Sequence, residues 1–265
     1  MRTSTKHRTL PDLRATASAP QAKLGRGMTM IRALFFIAAL LAPAHAFGAS
    51  IPKIGCPMDG QMGPLAAPRN GTMRLASADG AGLAYFYNRD GFGVLGPRGW
   101  HCQSLYGSNG TSIYLTPKRI SNKQWFSAKG IQGPMIQLSV DYGETSGRFA
   151  AARVIARVFP QERKFVEEVI AEKIEPAADF PLGPALGDRL TRKSASMVEY
   201  ETPPGVAGLG TLTRFAPSDA AVTGVVILLD VDHDILQLAM QLPPDLQKHA
   251  PAILREVEAR ISGSR

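Results

Sequence analysis

Short apolar and aromatic segments alternate with turn-forming residues through the first half of the chain. Residues 72–76, 83–87, 92–95, 100–106 and 111–115 read as strands. The separators are Ala78-Asp79-Gly80, Asn88-Arg89-Asp90-Gly91, Gly96-Pro97-Arg98-Gly99 and Gly107-Ser108-Asn109-Gly110. Glycine supplies positive φ and Asn/Asp close turns, so a meander of short antiparallel strands is predicted, with its best hairpin signal at Ser108-Asn109-Gly110. Residues 49–70, rich in Pro and Gly, read as loop. Residues 118–133 read as a polar connection anchored to the core by Trp125 and Phe126, and residues 135–140 as a strand.

The period then changes. Phe149, Ala152, Ile155, Ala156 and Phe159 recur at helical spacing and predict a helix over 146–159, with Thr145 or Ser146 as N-cap. Pro160 ends it and suits the first turn of a second helix over 161–173, striped by Phe165, Val166, Val169 and Ile170. Residues 176–188 lack periodicity and read as a loop or a seam between subdomains. Strands are predicted again over 196–200, 210–215, 222–230 and 235–242, with 225–229 apolar enough to be buried on both faces. A last helix over 250–261 has Pro251 in its first turn and Gly263 as stop signal. Strands, two helices, strands and a helix favour an α+β fold: antiparallel sheet or sheets of short strands with helices packed on one face.

The first 46 residues read differently. A polar, basic flank precedes a ten-residue apolar run (33–42), and Ala44 and Ala46 form an A-x-A site, together a secretory signal peptide with an upstream extension, cleaved near Ala46. The run falls short of the roughly 20 residues needed to span a bilayer. An uncleaved anchor is the competing reading, and Met28 and Met30 are alternative starts. The remainder, 47–265, is sized for a single α+β domain, or two small ones meeting near 176–188. It has no second apolar run of membrane length.

Export changes the meaning of charge. The whole chain carries +8. Seven of its 30 Lys/Arg and one of its 22 Asp/Glu lie in residues 1–46, leaving 23 bases, 21 acids and +2. The basicity therefore belongs to the targeting segment and argues against a nucleic-acid partner.

Both cysteines, Cys56 and Cys102, fall in the exported part. An even count in an oxidising compartment favours a disulfide between them. Lipidation of Cys56, which follows Gly55, and a reactive Cys102 beside His101 are the alternatives. Neighbouring residues on a strand point to opposite faces, which separates His101 from Cys102.

No motif assembles a known chemistry. Gly91, Gly93 and Gly96 satisfy G-x-G-x-x-G, but Pro97 and Gly99 follow where a helix must open. Asp230, Asp232 and Asp234 resemble the start of a calcium loop without its central glycine or closing glutamate; a solvated hairpin tip is favoured over a metal site. Arg153 and Arg157 share a helix face and could hold an acidic ligand, although pairing with Asp141, Glu144 or Glu162 is the simpler expectation. Trp100, His101 and Tyr106, in the glycine-punctuated stretch 91–117, are candidate ligand contacts, and Tyr114 joins Trp100 and Tyr106 as an aromatic that could line a groove; core or cross-strand aromatic packing is the plainer role. Asn70-Gly71-Thr72 and Asn109-Gly110-Thr111 are glycosylation sequons, meaningful only in a eukaryotic secretory pathway. No cofactor is expected.

The run Gly96-Pro97-Arg98-Gly99-Trp100-His101-Cys102, followed by Tyr106-Gly107-Ser108-Asn109-Gly110 and Pro117, resembles uncharacterised exported bacterial proteins with a GWHC motif and a Tyr-Gly-Ser turn. Residues 145–149 and 156–160 are similar to the same group. The resemblance implies a bacterial periplasmic or secreted protein and no particular activity. The expectation is thus a periplasmic, non-catalytic domain that binds an envelope ligand or protein. Its rival is an envelope hydrolase assembled only in three dimensions, with His101 and His233 as candidate bases; a purely structural part of an envelope complex is the third reading.

Overall fold

The computed structural model describes residues 49–75, 80–125, 130–229 and 232–263. The signal peptide read in residues 1–46, its cleavage site, Phe126 and Asp230 lie outside these described residues.

Twelve described strands form two sheets. The smaller is ordered β3 (Gly71–Arg74), β1 (Ser50–Gly55), β4 (Leu83–Tyr87), β5 (Gly93–Pro97). The larger is ordered β2 (Met58–Gly60), β6 (His101–Gly107), β7 (Gly110–Thr116), β8 (Met135–Asp141), β12 (Ile235–Gln241), β11 (Val222–Leu228), β10 (Met197–Thr202), β9 (Arg189–Ser194). Pairing is antiparallel except for β1 with β4 and β2 with β6. The architecture is α+β with antiparallel sheets of short strands, as the order of elements predicted.

Alternation along the central strands builds two cores. Ile113, Leu115, Ile136, Leu138, Val225, Ile227, Leu236 and Leu238 face the smaller sheet. The C-terminal helix α4 (Ala250–Gly263) joins them there with Ala252, Ile253 and Val257. The opposite face packs Met135, Val226, Ala239 and Ile235 against the helical pair α2 (Arg148–Val158) and α3 (Arg163–Ala171), which follow the single-turn helix α1 (Asn122–Trp125) in the chain. The one-face expectation therefore holds for the helical pair, whereas α4 takes the other face. A sheet apolar on both sides leaves two surfaces to cover, and the four-stranded sheet covers only part of the second. Arg260 of α4 secures the docking: it pairs with Glu256, donates to the Tyr85 hydroxyl and lies 4.1 Å over the Tyr85 ring.

Cys56 and Cys102 are joined, with Cα atoms 5.4 Å apart. Cys56, fully buried, sits where the chain leaves β1 in one sheet and enters β2 in the other. The bond thus pins this crossing to β6. Lipidation of Cys56 and a free reactive Cys102 are set aside, since both sulfurs are consumed.

Several predicted elements differ. The loop assigned to 49–70 contains β1 and β2, whose partners β4 and β6 are distant in sequence and parallel, so no local pattern marks them. Strand β9 was hidden because it is a polar, exposed edge whose charges discourage further pairing. The strand predicted over 210–215 is a 3₁₀ turn, Leu209–Leu212. Asp188 Oδ2 accepts from the Leu209 N–H and Thr202 Oγ1 from the Gly210 N–H, removing the donors a ladder needs. The predicted N-cap is also displaced, to Gly147. A Cβ there would stand 2.1 Å from the Asn109 carbonyl oxygen, so only glycine lets α2 begin against the β6–β7 hairpin. That hairpin forms as expected around Ser108 and Asn109, with Gly107 paired to Gly110.

Residues 176–188 wrap onto α2: Phe180 is buried and the Gly183 N–H donates to the Ala156 carbonyl. No helix among the described residues is long and apolar enough to cross a membrane.

Candidate functional site

The helix-covered face of the larger sheet is not apolar throughout. On β7, β8 and β12 it carries Ser112, Tyr114, Gln137, Ser139, Asp141 and Gln237, and there a cavity of about 580 Å³ opens. Its other walls are Ala150 in the first turn of α2, the 212–214 loop, Tyr106 and the 59–61 segment. The period-2 geometry of strands puts Gln137, Ser139 and Asp141 of β8 on one side.

Two buried glutamines hold the loop wall. Gln237 donates through Nε2 to the Leu209 carbonyl (2.9 Å) and the Tyr200 hydroxyl (3.3 Å). Gln137 Oε1 accepts the Arg214 N–H at 2.9 Å. Arg214 then donates Nη1 to the Trp125 carbonyl (3.0 Å), with its guanidinium beside the Tyr114 phenol. Tyr114 lies edge-on to Trp125, 4.7 Å between centroids, and burial raises its hydroxyl above the ordinary tyrosine range.

The far end of the polar row is a carboxyl. Asp141, half-buried by exposed area, is desolvated enough that its carboxyl is pushed up to about 7, and burial is the cause. The Ser139 hydroxyl, two residues before it on the same face of the strand, lines the cavity beside that carboxyl.

Of the aromatic residues singled out from sequence, Tyr106 and Tyr114 reach this cavity, and the Tyr106 hydroxyl is spent on the Gly63 carbonyl at 2.8 Å. Trp100 and His101 line a neighbouring cavity of about 450 Å³, together with Cys102, Arg119 and Trp125. Arg153 and Arg157 stay on the outer side of α2. Arg153 pairs with Glu175 at 2.5 Å over the Phe180 ring, and Arg157 donates to the Gly183 carbonyl at 3.2 Å. Their partners come from the segment after α3, not from Asp141, Glu144 or Glu162, because α3 turns the chain back alongside α2. An acidic ligand would have to displace these contacts.

The aspartate turn is likewise engaged. Asp234 Oδ1 accepts the Gly143 N–H at 2.8 Å, which corrects the solvated-tip reading for this residue. Asp232 is half-buried. Among the described residues no group of three His, Cys, Asp or Glu is placed to hold a metal ion. His233 turns toward α3: its Nε2 lies 3.2 Å from Glu162, and its ring stacks on Phe165 at 4.2 Å. His101 and His233 therefore do not share a cavity.

Asp141, Ser139, Gln137, Gln237 and Arg214 were not singled out from sequence. The signal existed: Met135-Ile136-Gln137-Leu138-Ser139-Val140 places polar residues at alternate positions of an otherwise apolar strand. In a central strand such a row must face something polar. The chain matches no family model, and neither a curated protein nor a solved structure shows significant likeness to it.

Proposed function

We propose that this chain is an exported bacterial protein of the periplasm or extracellular space, acting as a non-catalytic binding domain at the cell envelope, with the cavity over Ser139 and Asp141 as its binding site. The observation that carries the reading is the convergence of Ser139, Asp141 and Arg214 on a roomy cleft, framed by strands and a loop pinned by Gln137 and Gln237. Preformed concave sites with a few convergent polar groups are the usual form of small-molecule sites. The Cys56–Cys102 bond supports export, since disulfides persist in oxidising compartments.

A thermal-shift screen of the purified protein against envelope sugars, lipids, peptides and metals tests it. A ligand that binds the folded state raises the midpoint by mass action. Stabilisation lost in Ser139→Trp, which fills the cleft, is expected. Stabilisation untouched by that substitution would move the site elsewhere.

A second reading has one observation behind it. A desolvated carboxyl near neutrality is suited to proton transfer, so Asp141 replaces His101 and His233 as the candidate base of an envelope hydrolase. Turnover of any screened compound, abolished in Asp141→Asn, would favour it over binding.

A further inference from the structure

The charges lining the cavity are unevenly placed. Arg214 stands at the end where Gln137 holds its backbone, and Asp141 lies four residues farther along β8. At about 3.3 Å per residue the two strand positions are roughly 13 Å apart. The guanidinium reaches inward to Tyr114, which senses both Arg214 and Asp141. Arg214 has donors to spare beyond the Trp125 carbonyl and the Tyr114 hydroxyl, since a guanidinium carries five. Asp59, the remaining charged lining residue, is exposed at the rim with Oδ1 taking the Gly60 N–H. Inside the cleft, then, a carboxyl at one end faces a donor-only guanidinium at the other across neutral hydroxyls and amides.

We infer that the cavity takes a short peptide or similar zwitterion, its free ammonium seated on Asp141 and its carboxylate turned toward Arg214. This rests on the cavity being the binding site. An ammonium supplies the counter-charge that a desolvated carboxylate lacks. A carboxylate on Arg214 gains charge-assisted hydrogen bonds, and the reversed orientation would oppose like charges at both ends. Ser139 lies between these two strand positions on the same face of β8, where its hydroxyl can meet a peptide backbone. Three residues extend to about 10 Å, which fits the interval once the arginine side chain reaches in.

Calorimetric titration of the full protein with trialanine, N-acetyl-trialanine and trialanine amide tests the inference without any variant. Trialanine is expected to bind, with either capped form at least tenfold weaker. In Asp141→Asn, checked for folding by circular dichroism, trialanine should fall to the level of its N-acetyl form. Capped and free peptides binding alike would overturn the zwitterion assignment. So would a neutral sugar displaced by Ser139→Trp with no peptide binding, an outcome that leaves the cavity standing as the site. Absence of binding by all three peptides, and of any screened compound sensitive to Ser139→Trp, would overturn both readings.

Discussion

Asn88 donates through Nδ2 to the Ser104 hydroxyl at 3.1 Å, with both residues wholly buried. Asn88 begins the β4–β5 turn of the smaller sheet, and Ser104 sits mid-strand in the larger, passing its own proton to the Ser112 carbonyl at 2.7 Å. Asn88 Oδ1 meanwhile accepts from the Asp90 and Phe92 N–H groups. One side chain thus closes a turn and ties two sheets.

Removing it strands the buried Ser104 hydroxyl and takes the acceptor from the Asp90 and Phe92 N–H groups of the turn. Asn88→Ala is expected to destabilise the protein by about 2–3 kcal/mol, the usual cost of stranding buried partners. Ser104→Ala should cost less, because it strands fewer groups. Denaturant melts of the two variants check this; equal and negligible losses would refute the bridging role.

The crossing at Cys56 gives a second expectation. Replacing both cysteines by serine should cost roughly 2–4 kcal/mol, since the bridge constrains a loop of 46 residues' separation in the unfolded chain. Thiol titration of denatured, unreduced protein should find no free thiol; finding two would contradict the bond.

Asp141 makes stability depend on pH in an unusual sense for a carboxylate. Burial raises its pKa from 3.8 to about 7, so the folded state retains a proton that the unfolded state has lost between those values. Stability from this group is complete below the unfolded value and is lost as pH rises toward the folded one. Asp141→Asn should therefore melt a few degrees above the parent at pH 8, with the gap shrinking at pH 5. Melting curves for the two proteins that run parallel across that interval would exclude the effect.

Asp234 holds the start of the loop that leads into α2. Loss of its bond to the Gly143 N–H in Asp234→Ala is expected to cost about 1 kcal/mol and to increase amide exchange at Gly143. Calcium added in titration should leave the parent's midpoint unchanged; strong stabilisation would restore the metal reading of this turn.

Local chemistry was written plainly in the chain. The turn at Ser108-Asn109, the helical pair interrupted at Pro160, the strands around Leu83, Ile113 and Leu238, and the pairing of the two cysteines all follow from short-range pattern or simple count. Each depends on neighbours within a few residues, or on there being only one way to pair. Strands β1, β2 and β9 were invisible because what makes them strands is a distant or edge partner, not their own alternation. The second covered face of the large sheet had the same origin: β-sheet parity says that a strand is buried on both sides but not by which elements.

The candidate site followed that division. Arg153 and Arg157 looked available in one dimension and are occupied in three, because α3 reverses the chain and returns Glu175 and Gly183 beside them. Asp141 looked like a surface partner for a helix; folding places it in a cleft whose walls come from Tyr106, Ala150 and Arg214. A residue's type and its face can be read from periodicity. Whether water or protein stands opposite it depends on segments tens of residues away, and only the packed structure decides that.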